Sequence, residues 1–125
     1  MVFKKIIKTT ILEYLNESEL DIDKNSKIIS SIDGIKIRII DSEIVSKIFP
    51  VWENYLGSHH YGKKSDHIPE NEIWISNKVP EKNLDNIIQH EIIERVIMRA
   101  LQKYKGMDTE YSWDIAHNFV KNIGF

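Results

Sequence analysis

Apolar positions along this chain fall into three spacings, and each predicts a different element. Over residues 3–16 one apolar series runs Phe3, Ile7, Ile11 and Leu15, with Tyr14 beside them. Steps of three and four residues place them on one face, so an amphipathic first helix is expected there. Leu20 to Lys27 is polar and irregular. Lys27 to Ile32 and Ile35 to Asp41 are rich in β-branched residues, with Asp33-Gly34 between them. Asp-Gly between two such runs predicts a hairpin. Ser42 to Leu56, interrupted by Pro50, fits neither template. Gly57 to Pro69 reads as a loop inside the domain. Glu72-Ile73-Trp74-Ile75-Ser76 predicts a short strand.

Pro80 suits the first position of a helix. That helix is expected to reach about Tyr104, where Lys103 and Lys105 complement its negative end and Gly106 supplies the stop. Asp108 or Thr109 caps a last helix running to about Asn122, with Trp113, Ala116, His117 and Val120 on one face. The order helix, hairpin, loop, strand, helix, helix predicts an α+β fold, a small antiparallel sheet packed against two or three helices. A chain of 125 residues fits a single domain over 1–125, with its metal-binding core expected over about 35–122.

Composition narrows the chemistry. Hydrophobic residues make up 42% and charged residues 29%, enough for a packed core. The net charge of −2 disfavours nucleic acid as a partner. There is no cysteine, which excludes a disulfide scaffold, a thiolate metal site and a cysteine nucleophile. A metal would have to be held by His, Asp, Glu or backbone oxygen. The N-terminal residues lack a signal-peptide pattern, and no stretch approaches the roughly 20 apolar residues of a membrane span. The expectation is a cytoplasmic, intracellular protein without a membrane partner.

The informative residues are His90-Glu91-Ile92-Ile93-Glu94 on the long helix. His90 and Glu94 stand four apart, on the face that also carries Ile87, Ile97 and Leu101. A carboxylate on an apolar stripe is costly unless compensated, and a divalent cation would compensate it. His-Glu-x-x-His on a helix is the zincin pattern, in which the two histidines ligate zinc and the Glu is the general base. Here Glu94 stands at the second ligand position, and His117, on the apolar face of the last helix, is the candidate third ligand. Glu91 would act as general base on a metal-bound water. A plain alternative stands beside this one. Glu91 and Glu94 would be solvated or paired with Arg95, Arg99 or Lys82, and His117 would be a core histidine beside Trp113.

Several runs together resemble a known group. They are Ile68-Pro69-Glu70-Asn71-Glu72-Ile73-Trp74-Ile75, His90-Glu91-Ile92-Ile93-Glu94-Arg95 and Ala116-His117. Ile37 to Asp41 with Val45, and Gly57-Ser58-His59-His60-Tyr61, also fit the pattern, so the likeness spans about Ile37 to Val120. The chain resembles small uncharacterised zincin-like metallopeptidases of archaea, bacteria and their viruses. The resemblance implies one zinc ion held by His90, Glu94 and His117, with Glu91 catalytic. It also implies that the Glu72–Ser76 strand lines a cleft as the edge strand that pairs with extended peptide.

The remaining candidates are read from their surroundings. His59, His60, Tyr61, Lys63, Lys64 and His67 share a polar loop. Either His60 or Tyr61 contacts substrate, or the loop is simply solvent-exposed. Glu72 and Trp74 are cleft candidates, with outward exposure and core packing as their alternatives. Three functions follow. The leading one is a metal-dependent hydrolase, peptidase-like, acting on a peptide or protein. The second is a non-catalytic binding or regulatory protein, viral among the options, with a structural metal or none. The lowest-ranked is a dimetal site using Asp114-x-x-His117 with Glu91 and Glu94 as bridges.

Overall fold

The computed structural model describes residues 20–125; the helix expected over 3–16 lies outside them. Strands β1 (Ser26–Ile32) and β2 (Ile35–Ile40) form the expected hairpin. Its turn residues have positive φ, 51° at Asp33 and 79° at Gly34. That is the turn that follows the twist of a two-residue hairpin. The ambiguous segment resolves into a short helix α1 (Ser42–Val45) and a 3-10 turn (Pro50–Glu53). Asp41 caps α1 by accepting from the Ile44 N–H.

Two further strands complete the sheet: β3 (Gly57–His59), inside the segment expected to be loop, and β4 (Glu72–Ser76). The strand order is β1-β2-β4-β3. The α+β class is as expected, but the sheet is mixed. β1–β2 and β3–β4 are antiparallel, whereas β2–β4 is parallel, with Ile37 opposite Ile73 and Ile39 opposite Ile75. The chain from α1 through β3 is long enough to return β4 in the same direction as β2. β4 is therefore internal, buried at all five positions, and β3 takes the edge.

Side chains alternate across the sheet. Ile37, Ile73 and Ile75 face the long helix α2 (Glu81–Lys105) and pack with Val79 and Ile88. Arg38, Ile40, Glu72 and Trp74 occupy the other face. There Ile40 and Trp74 pack with Val45, Trp52 and Ile68. Glu72 is buried among donors. Arg38 Nε lies 2.8 Å from its Oε1, and the indole N–H of Trp74 donates to the same oxygen at 2.9 Å.

α2 ends at Gly106, which takes the left-handed conformation at φ 64° and whose N–H bonds the Leu101 carbonyl. Helix α3 (Thr109–Asn122) starts at Asp108, whose carboxylate accepts from the Tyr111 N–H at 2.7 Å. It lies against α2 through Ala116 and Met98, with Trp113 and Ile97 alongside. No helix among the described residues is long and apolar enough to cross a membrane.

The Arg38–Glu72 pair yields a prediction. Burial alone would raise the Glu72 pKa, but bonds from Arg38 and Trp74 outweigh it and hold the group below its ordinary 4.5. A depressed folded pKa means its contribution is complete above about pH 4.5 and lost as pH falls through the folded value. Glu72→Ala, which leaves the buried Arg38 guanidinium with only exposed Asp23 and the Ser26 hydroxyl as partners, should cost about 2 kcal/mol near neutral pH. Urea denaturation of wild type and variant at neutral and acid pH should show that gap narrowing on acidification.

Candidate metal centre

The centre lies where α2, β3 and α3 meet. Four functional side chains come from two helical segments, and a fifth comes from the sheet edge. On α2, His90 and Glu94 are one turn apart, and His90 Nε2 lies 3.0 Å from Glu94 Oε2. α3 brings His117 to the same oxygen, with Nδ1 at 3.2 Å. Trp113, one turn earlier, stacks on the His117 ring at 4.2 Å and 15° and fixes its plane. His90 is oriented from its other side, where Nδ1 lies 3.1 Å from the Phe125 carbonyl oxygen. A main-chain oxygen only accepts, so Nδ1 carries a hydrogen, and Nε2, which faces Glu94, is the nitrogen that would ligate a metal on losing its proton.

The most buried row of α2 runs through Ile88, Glu91, Glu94, Arg95 and Met98. It is one position round from the stripe the sequence suggested, so Glu91 lies deeper than His90. Glu91 packs against the edge strand: a Cβ added at Gly57 would stand 3.0 Å from its Cγ. Neither Glu91 nor Glu94 is solvated, and Arg95 does not pair with them; its Nη2 donates to the Glu70 carbonyl instead, at 2.7 Å.

Electrostatics follow from this packing. Burial first, and the neighbouring Glu94 charge second, push the Glu91 carboxyl up to about 8. Burial also works against an ionised Glu94, but hydrogen bonds from His59, His90 and His117 overcome it and hold the carboxyl well below its ordinary range. The Glu94 hydrogen bond in turn lifts His90 to about 9 against its own desolvation. Two carboxylates side by side in a dry site cannot both ionise without a compensating positive charge.

His90, Glu94 and His117 offer ligand atoms within 4.8 Å of one another, a group that can hold a metal ion. The donor set is two imidazoles and one carboxylate, and the two buried glutamates would be neutralised by one divalent cation. His59, Glu91 and Glu94 form a second such group with the same spacing limit. Asp114 belongs to neither and is exposed, so the Asp114-x-x-His117 arrangement does not form. His90, Glu91, Glu94 and His117 line a cleft of about 510 Å³ together with Tyr55, Gly57, Lys63 and Trp113. That volume suits a small-molecule or peptide side-chain site.

Four residues expected at the cleft are elsewhere. Glu72 and Trp74 point to the opposite face of the sheet, because residues facing α2 on β4 are Ile73 and Ile75. His60 is tied by Nδ1 to the Ile68 carbonyl at 2.8 Å. Tyr61 is buried against Met98 and Ala116, with its hydroxyl on Glu70. The edge strand beside the centre is β3, not β4.

The residue that sequence reasoning left in the loop is His59. It is fully buried, and its Nε2 lies 3.2 Å from Glu94 Oε1. It faces α2 because it pairs with Ile73, and directly paired residues share a face. Only strand pairing fixes that parity, and a three-residue strand with a glycine and no β-branched residue gives no sequence signal of it.

Comparison of the chain with protein-family models, with curated proteins and with solved structures finds no match. Fold and site define it as an α+β protein with a His/Glu group, drawn from its long helix, its last helix and the sheet edge, able to hold a metal ion.

Wild type purified without chelator or polyhistidine tag should retain about one divalent ion per chain, a stoichiometry that follows from the charge balance above. His90→Ala and His117→Ala should each lose it while Glu72→Gln keeps it, as read by elemental analysis. Two equivalents would instead indicate that both His/Glu groups fill.

Proposed function

We propose that this protein is a metal-dependent hydrolase, of the minimal zincin-like metallopeptidase type, with zinc held by His90, Glu94 and His117 and Glu91 as general base. The observation that carries the reading is the position of Glu91. It is buried beside the candidate ligands, with His90 Nε2 3.8 Å from its Oε2, and among the described residues no Lys or Arg pairs with it. A carboxyl group raised toward neutrality and pointed into a cleft has the character of an acid–base catalyst.

A bound zinc ion would supply Lewis acidity, polarising a scissile carbonyl and making water easier to deprotonate. The chain supplies the rest. Glu91, once deprotonated, takes the proton of the attacking water and returns it to the leaving amine. Gly57 lets β3 approach Glu91 closely, so a substrate aligned on β3 has its backbone near that carboxylate. β3 is the edge of the sheet, with β4 on one side only. An extended peptide can add there as a further strand, antiparallel or parallel, through main-chain hydrogen bonds. Trp113 and Lys63 wall the far side of the cleft, with the Lys63 ammonium 4.0 Å above the indole. The similarity of the Ile68–Ile75, His90–Arg95 and Ala116-His117 runs to zincin-like metallopeptidases supports the same reading. A binding protein that keeps a structural metal is the competing reading, and it places no demand on a carboxyl facing the cleft at Glu91.

A screen of zinc-loaded protein against mixed peptide libraries should detect cleavage. Glu91→Gln should keep the metal and lower kcat by about 10² to 10⁴. Cleavage unaffected by that substitution would overturn the role of Glu91, and its absence in zinc-loaded wild type would favour the binding-protein reading.

A further inference from the structure

His59 is a charged-type side chain with 0% exposure, contributed by the sheet rather than by either ligand-bearing helix. Its ring touches one oxygen of Glu94, while both candidate ligand histidines touch the other. Oε1 has His59 Nε2 at 3.2 Å; Oε2 has His90 Nε2 at 3.0 Å and His117 Nδ1 at 3.2 Å. We infer that His59 is a positioning residue. It is a neutral imidazole whose Nε2–H holds Oε1 of Glu94, so that Oε2 alone is presented to a metal between His90 and His117. The inference rests on the metal-centre reading above.

Three observations converge on it. First, an ionised carboxylate only accepts hydrogen bonds, so the proton of this contact sits on His59 Nε2. Second, His59 Nδ1 is buried without a hydrogen-bond partner among the described residues. A protonated Nδ1 would leave a donor unsatisfied in a dry site, whereas a bare nitrogen is the cheaper orphan. The ring is thus the Nε2–H tautomer and uncharged. Third, His59 stands outside the His90, Glu94 and His117 group, whose ligand atoms lie within 4.8 Å of one another, and it meets that group at Oε1 of Glu94. A carboxylate pinned at one oxygen binds through the other with little loss of side-chain freedom. Outer hydrogen bonds of this kind commonly govern metal affinity by about 10- to 100-fold.

The location explains how the fold achieves this. His59 pairs with Ile73 on β4 and so faces α2, whereas its neighbour His60 turns away to the Ile68 carbonyl. The sheet edge therefore fixes the orientation of a ligand carried by the helix. A peptide pairing along β3 would be in register with that same strand.

The test uses zinc affinity from competition with a chromophoric chelator, together with the melting temperature of each metal-free variant. His59→Phe keeps a ring and removes the donor; it should weaken zinc binding about 10- to 100-fold. His59→Gln restores an N–H at similar reach and should bring affinity back to within a few-fold of wild type. Nitrogen NMR of the metal-free wild type should report the neutral Nε2–H tautomer, a measurement that needs no substitution and no metal. Unchanged affinity in His59→Phe overturns the inference. So does equal loss in both variants, or X-ray absorption of the zinc-loaded wild type showing three histidine ligands. A wild type that binds no zinc overturns the metal-centre reading, and this inference with it. Binding by the wild type with no difference among variants overturns this inference alone.

Discussion

One buried carboxylate organises this molecule. Glu94 is 4% exposed and is met by three histidines, one from its own helix, one from the next helix and one from the sheet edge. The His90 contact lies within α2, whereas those of His117 and His59 cross two different packing interfaces, so α3 and β3 must both be in place before the charge is satisfied. Beside it, Glu91 has no such ring of donors, and the difference in partners drives the two pKa values in opposite directions. Two identical groups a turn apart thus acquire different chemical characters from their surroundings alone.

The sheet separates scaffold from site by parity. On β4, Ile73 and Ile75 pack under α2, while Glu72 and Trp74 face the opposite layer, where Arg38 completes a buried hydrogen-bonded cluster. The buried charges on that face are paired within the protein and therefore structural. On the α2 face, Glu91 and Glu94 converge on a cleft, and their charged partners among the described residues are histidines. The same alternation on β3 gives Gly57 and His59 to the centre. Ser58 turns to a buried hydroxyl contact with Ser65.

α3 is delivered by its ends as much as by its apolar face. Gly106 reverses the chain at positive φ, and Asp108 caps the next helix at once. The short connection holds the two helices antiparallel and in contact, with Ala116 small enough to let His117 approach Glu94. Trp113 then buttresses His117 from one side, and Lys63 covers the indole at the cleft mouth.

What the sequence by itself determined was local. The Asp33-Gly34 hairpin, the long helix from Pro80 to Gly106, the Asp108 cap and the apolar face carrying His117 follow from residue-level rules that need no partner. The one-turn spacing of His90 and Glu94 is equally a property of the helix alone. Tertiary structure decided the rest. The parallel pairing of β2 with β4 depends on a long return connection that no short-range pattern encodes. It made β4 internal, which moved Glu72 and Trp74 away from the cleft and gave the edge to β3. Pairing parity on that three-residue strand then chose His59 over His60. Burial of Glu91 beyond His90 came from where the sheet seated the helix. A side chain's face on a strand is fixed by its register with a neighbour, and that register is set by contacts distant along the chain.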